Sequence, residues 1–293
     1  MIKKLLAAIA WPALLSASLF LTYLGFRNGF DKDTVTLVVY LILALAIFGL
    51  EMYMPHEKSW RANDGQIVND IAHTVIGSAL PEYLATLIVT LIVSGVAISL
   101  ESHIQHPLWP TKLFFPAQVA LALFVAEFGL YWAHRLGHEV MIFWRFHALH
   151  HSSVRLYVLN TGRFHFVDIF KSTLFGLPLL VLLKPPAEVI LWYAAFLNYI
   201  GILSHCNIEL RLGFLNYIFN TPGVHRWHHS RVLSESMHNY GEILMVWDLI
   251  FGTHMIPKGR PPADIGIDYV VPSGFFAQLA FPFVFKKITP EPR

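Results

Sequence analysis

Three histidine clusters constrain this chain more than any other feature. His134 and His138 form an HxxxH pair. His147, His150 and His151 form an HxxHH cluster, and His225, His228 and His229 form a second one. On a helix, residues at i, i+3 and i+4 share one face and lie about 5–6 Å apart. Each cluster therefore aims two or three imidazoles at one spot. Buried imidazoles without partners are costly, and a bound cation removes that cost. Neutral imidazole suits iron, zinc, copper and nickel. Eight such side chains exceed the needs of a single ion and match a pair. The one cysteine, Cys206, allows no intramolecular disulfide and no thiolate cluster, so donors must be nitrogen and oxygen.

The same imidazoles have to sit in a greasy chain. Of 293 residues, 55% are hydrophobic and 14% charged, against about 25% charged in soluble domains. The net charge of +2 makes no case for nucleic acid. Apolar runs at 5–26, 34–54, 83–100 and 117–138 approach the roughly 20 residues that cross a bilayer. The first reads as a span rather than a removable leader, because it is long and lacks a clear small-residue cleavage site. Residues 55–79 read as a loop and a short helix at the membrane surface, with His73 a surface group or a partner of a ligand. His103 and His106 adjoin prolines and lack helical spacing, so they read as loop residues. Lys184-Pro185-Pro186 interrupts the apolar block 172–204. Each half is short, which favours a re-entrant hairpin or two short dipping helices over two ordinary spans.

These readings predict an all-α, polytopic membrane protein. It has about four transmembrane helices plus a re-entrant or short helical hairpin, and a cytoplasmic helical cap holding a dimetal site. Residues 1–116 form N-terminal membrane helices and loops, 117–257 the histidine-rich domain, and 258–293 a membrane-associated tail with an amphipathic stretch at 274–287. Lys3 and Lys4 place the N-terminus in the cytoplasm. Counting spans then delivers His134, Arg135, Arg145 and Arg155 to the cytoplasmic face, in a bacterial case that of the inner membrane.

Other polar residues stand out against this background. Glu127, Tyr131, His134 and His138 form one helical stripe, so Glu127 is a candidate acceptor for the outer N–H of a ligating imidazole. Tyr131 reads as packing. Asn160, Arg163, His165, His238, Asn239 and Asp248 are candidates for orienting ligands or contacting substrate, and Asn160, Arg163 and His165 equally for capping helices. His205, at the end of an apolar helix, is a candidate ninth ligand.

The pattern resembles the fatty acid hydroxylase/sterol desaturase superfamily of membrane histidine-rich di-iron oxidases. That family is marked by HxxxH, HxxHH and a distant HxxHH. The surrounding words agree: Tyr131-Trp132-Ala133-His134-Arg135, Phe146 to Ser152, Asn160-Thr161-Gly162-Arg163-Phe164-His165, Asn239-Tyr240-Gly241, and Trp247-Asp248 with Phe251-Gly252-Thr253. Similarity covers about 117–254. Glu127 replaces a more usual Asp, Phe166 a common Pro, and Leu249 a frequent basic residue. The resemblance implies two iron ions, with zinc able to replace them in purified protein. It implies O2-dependent hydroxylation or desaturation of a lipid C–H bond, and a separate electron-donor protein. Two other readings compete: a zinc-dependent membrane hydrolase and a non-catalytic, metal-stabilised membrane protein. No HExxH motif supports the former.

Overall fold

The structure is a computed structural model that describes residues 2–101 and 108–284. His103, His106 and the end of the amphipathic tail stretch lie outside the described residues. Among the described residues the regular structure is helical, and pairing between extended segments is limited to isolated bridges such as Pro55 with Ile208 and Phe219 with Leu244.

Two long helices open the chain, α1 (Ile2–Arg27) and α2 (Lys32–Tyr53). Asp31 caps α2 by accepting from Thr34 N at 2.9 Å. Helix α2 shows how the bundle divides inside from outside. Val35, Val39, Leu43 and Ile47 are buried at every fourth position, while Leu37, Leu41, Leu45 and Phe48 are exposed on the opposite face. An exposed apolar stripe on a helix of this length suits lipid rather than water.

The third span differs from the reading of the sequence. Helix α3 (Ile67–Ala72) runs through a π-helical turn, His73–Ala79, directly into α4 (Leu80–Glu101). The span thus begins well before residue 83. His73 is buried inside it, with Nε2 2.9 Å from Gln278 Oε1 and Nδ1 3.2 Å from the Phe164 carbonyl. It is neither a surface group nor set against the clusters.

Helix α5 (Phe115–Glu139) is the axis of the molecule. It packs against α6 (Met141–His151), α7 (Phe166–Leu182) and α8 (Ala187–Ser204). Small residues let α5 and α7 approach closely. A Cβ at Gly129 would collide with the Phe175 carbonyl, and one at Gly176 would meet Leu130 Cδ2 at 2.7 Å. Lys184, in the left-handed region at φ 54°, and the two prolines after it separate α7 from α8. The halves of the expected hairpin then part company: α7 packs on α4 and α5, α8 on α5, α1 and α2. Helix α8 is itself long and apolar enough to cross. Among the described residues five stretches meet that standard: Ile2–Arg27, Lys32–Tyr53, Ile67–Val96, Phe115–Glu139 and Ala187–Ser204.

Short helices and loops cap one end of this bundle: α9 (Pro222–His228), α10 (Leu233–Ser236) and α11 (Val246–Phe251), with α12 (Phe275–Val284) resting on α6. Buried charges fasten the cap. Glu51 of α2 accepts from Val158 N and Asn207 N, both at 2.9 Å. Asp70 of α3 pairs with Arg163 at 2.6 Å and accepts from the Tyr157 hydroxyl at 2.7 Å.

Candidate metal centre

The chain bends sharply between α5 and α6, with only Val140 extended between them. That bend lays His134 and His138, at the end of α5, against His147 and His151 on α6. Helix α9 starts with Pro222 in its first turn, where a missing N–H costs nothing. It carries the second HxxHH into the same region. The result is two adjacent groups. One contains His134, His138, His147, His151 and His228; the other contains His150, His205, His225 and His229. Within each, ligand-type atoms lie within 4.8 Å of one another.

Each HxxHH cluster is shared between the groups by helical geometry. All three share one face, but i+3 lies about 60° to one side of i and i+4 about 40° to the other, so the face can serve two neighbouring points. His147 and His151 thus join the first group while His150 joins the second. His225 and His229 join the second while His228 joins the first. The rings of His151 and His229 stack at 4.3 Å between centroids and link the two groups.

The protonation pattern shows what the groups are built for. His134 Nδ1 donates to the Tyr240 carbonyl at 2.9 Å, His228 Nδ1 to the His238 carbonyl at 2.7 Å, and His147 Nδ1 to Asp168 Oδ2 at 2.8 Å. Their protons therefore sit on the outer nitrogens, and the Nε2 lone pairs face inward. Nε2 of His134, His138 and His228 is buried without a hydrogen-bond partner. Elsewhere the inner nitrogens crowd one another. His147 and His151 Nε2 lie 3.1 Å apart, His205 and His225 Nε2 2.9 Å, His225 and His229 Nε2 3.0 Å, and His150 and His229 Nε2 3.1 Å. Each such pair needs either a proton on one of its nitrogens or a cation between them, and a cation serves all of them at once. The donor set therefore fits a metal ion in each group, and all-nitrogen imidazole donation suits iron as well as zinc.

Burial also keeps the ligands ready. It pushes the His205 and His228 imidazoles down to about 3. Burial holds His225 and His229 well below the usual imidazole range, and neighbouring rings add to the effect. Neutral imidazole is the form that binds metal. Of the nine histidines only His138 is partly exposed, and its Nε2 is nonetheless buried; its ring lies 5.2 and 5.4 Å from those of Trp144 and Tyr240.

The other candidate residues take varied places. Asn160 Oδ1 lies 3.4 Å from His205 Nδ1 while also accepting from Tyr157 N. His238 acts through its carbonyl rather than its ring. Asp248 accepts from Tyr240 N at 2.8 Å and Gly241 N at 2.7 Å, and so shapes the loop whose carbonyl meets His134. Asn239, at φ 61°, exchanges hydrogen bonds with the Met255 backbone. Glu127 and Arg163 have other partners than the ligands or substrate, and His165 takes the capping role that the sequence left open. Glu127 receives no imidazole proton: Oε1 accepts from Glu242 N at 2.6 Å and Oε2 from Ile243 N at 3.0 Å. Arg163 gives its donors to Asp70 and Gln66. His165 caps α7 by accepting from Val167 N, with Nε2 3.1 Å from the Leu279 carbonyl. Sequence reasoning missed Asp168, Asn220 and Glu242. Asp168 sits in the first turn of α7, a position helix electrostatics alone explains, so its sequence context carried no distinguishing signal.

A membrane helical bundle capped by two touching all-histidine groups defines a narrow class, the histidine-rich membrane oxidoreductases. The family model for fatty acid hydroxylase matches residues 119–253, a stretch that contains all nine histidines. The ornithine lipid hydroxylase OlsE of Rhizobium tropici is 46% identical over 297 residues, covering 96% of this chain and 86% of that protein. This chain belongs to the fatty acid hydroxylase/sterol desaturase superfamily and is an integral membrane oxidoreductase of that family. More local similarity links it to human alkylglycerol monooxygenase, 37% identical over 43% of this chain and 28% of that protein. The very-long-chain aldehyde decarbonylase CER1 of Arabidopsis thaliana is 31% identical over 43% of this chain and 21% of its own. No solved structure matches.

Proposed function

We propose that the protein is an O2-dependent lipid hydroxylase whose nine histidines hold two iron ions, and that its substrate is an ornithine-type aminoacyl lipid. The observation that carries the reading is the convergence of nine imidazoles in two touching groups, with Nε2 of His134, His138 and His228 left buried and partnerless in the first. A pair of iron ions held there supplies reduction of dioxygen and oxidation of an unactivated C–H bond. The protein supplies the rest. Outer hydrogen bonds from His134, His147 and His228 fix ring orientation. Burial excludes water from the inward nitrogens, and His138 is the one member with part of its ring near the surface. Helix α5, long and apolar enough to cross a membrane, carries His134 and His138 at its end, so a lipid approaching along it meets the centre at the membrane boundary.

The substrate class follows the relative that matches nearly the whole chain, rather than those that match only its histidine-rich part. The centre lies at the cytoplasmic face of the bacterial inner membrane, where a separate electron-donor protein reaches it. The test is expression in a host that makes ornithine lipid, followed by mass spectrometry of total lipids. The expected result is a gain of one oxygen on that lipid, labelled by 18O2, and its loss in a folded His147→Ala variant. Cleavage of the lipid into two fragments with oxygen taken from water, in the absence of O2, would support zinc hydrolysis instead. No lipid change with full metal content would support a non-catalytic role.

A further inference from the structure

The two histidine groups differ in what stands behind them. Behind the five-histidine group are carboxylates: Asp168 Oδ2 is 2.8 Å from His147 Nδ1, and Glu242 Oε1 is 3.3 Å from His134 Nδ1. Behind the four-histidine group are neutral amides: Asn160 Oδ1 lies 3.4 Å from His205 Nδ1, and Asn220 turns its Nδ2, a donor that can accept no imidazole proton, to within 3.4 Å of His225 Nδ1. His150 and His229 Nδ1 have no partner. A carboxylate that accepts the outer N–H makes the inner nitrogen a stronger donor than an amide does.

Asp168 is built into place rather than left there by chance. It is buried, and its second oxygen pairs with the buried Lys171 ammonium at 2.5 Å, one turn along α7. The lysine balances the charge that would otherwise make a buried carboxylate prohibitive. Gly137 of α5 leaves the space for it: a Cβ there would lie 2.9 Å from Lys171 Nζ and 3.4 Å from His147 Cγ.

We propose that Asp168, held by Lys171, is a positioning residue that makes the five-histidine group bind its ion more tightly than the four-histidine group. The proposal rests on the reading that both groups hold metal. Titration of the metal-free, full-length protein in detergent with Co2+, followed by visible absorption against a competing chelator, separates the two ideas. Wild type takes up two ions in two resolved steps. Asp168→Asn keeps the shape and removes the charge. It weakens the tighter step by about 10–100-fold, the usual cost of losing such a partner, and leaves the weaker step in place. Asn220→Ala moves only the weaker step. Two equal steps in wild type, an Asp168→Asn shift in both steps or in neither, or an Asn220→Ala shift in the tighter step would each overturn the proposal. Uptake of fewer than two ions by wild type would instead overturn the reading of a metal pair.

Discussion

At the scale of single residues, the histidines divide into those that face the centre and those that brace the fold. His205 and His165 give the sharpest contrast. His205 Nε2 lies 2.9 Å from His225 Nε2, inside the four-histidine group. His165 spends both ring nitrogens on backbone groups. His205→Ala is expected to lower bound metal from two ions per chain toward one, and His165→Ala to leave it at two, by elemental analysis of purified protein. Equal losses in both would contradict the division. Glu127 makes a second case. It satisfies two backbone N–H groups of the loop that presents the Tyr240 carbonyl to His134. Glu127→Ala leaves both donors without an acceptor, which costs about 3 kcal/mol. Glu127→Gln keeps one acceptor oxygen and costs less. Thermal unfolding in detergent should therefore rank wild type, Gln and Ala in descending stability. The ligands were legible in the sequence because their spacing follows from a helix. Their outer partners were not, because two of them are the carbonyls of Tyr240 and His238, and every residue has a carbonyl. The stripe placed Glu127 on the correct face, but its partners come from a loop more than a hundred positions away, and a local pattern holds no information about them.

At the scale of elements, the centre depends on how α5, α6, α7 and α9 meet. The spacing read as each HxxHH aiming at one spot, whereas the fold divides each between two groups, a division that small helical rotations permit but do not dictate. Which helices touch was not legible either. The α5–α7 contact is set by the absence of side chains at Gly129 and Gly176, an absence that reads in sequence as a mere weakness of helix propensity. Likewise the join of α3 to α4 passes through a π-helical turn containing His73, which polar composition disguised as a surface segment. Gly129→Leu tests the contact. Its side chain would be driven into the Phe175 backbone, and such overpacking costs about 1–3 kcal/mol. Because α7 carries Asp168 and Lys171, separating α7 from α5 should also disturb His147. The expected result is lower thermal stability together with reduced metal content. A variant with wild-type values for both would show that the close approach is dispensable.

At the scale of the whole molecule, the fold stores a cluster of imidazoles in their neutral state, and that makes its stability depend on pH. Burial holds His205 and His228 at about 3 in the folded protein, against an ordinary value of 6.5. His150, His151, His225 and His229 are held well below the ordinary value by the same cause. Unfolding exposes these rings and returns them to the ordinary range. Above pH 6.5 both states carry them neutral, and titration contributes no penalty. As pH falls below 6.5 the unfolded chain takes up protons that the folded chain refuses, so proton uptake favours unfolding. The loss continues until the pH reaches the folded values near 3. Bound metal acts in the same direction, since it requires the neutral form and adds its binding energy only to the folded state. Metal-free protein should therefore unfold at a lower temperature at pH 5 than at pH 7.5. The metal-loaded protein should be more stable at both, with metal release accompanying its acid unfolding. Buried histidines that gained charged partners instead would be stabilised on acidification, so a metal-free protein that is firmer at pH 5 would show that the imidazoles do not enter the fold neutral.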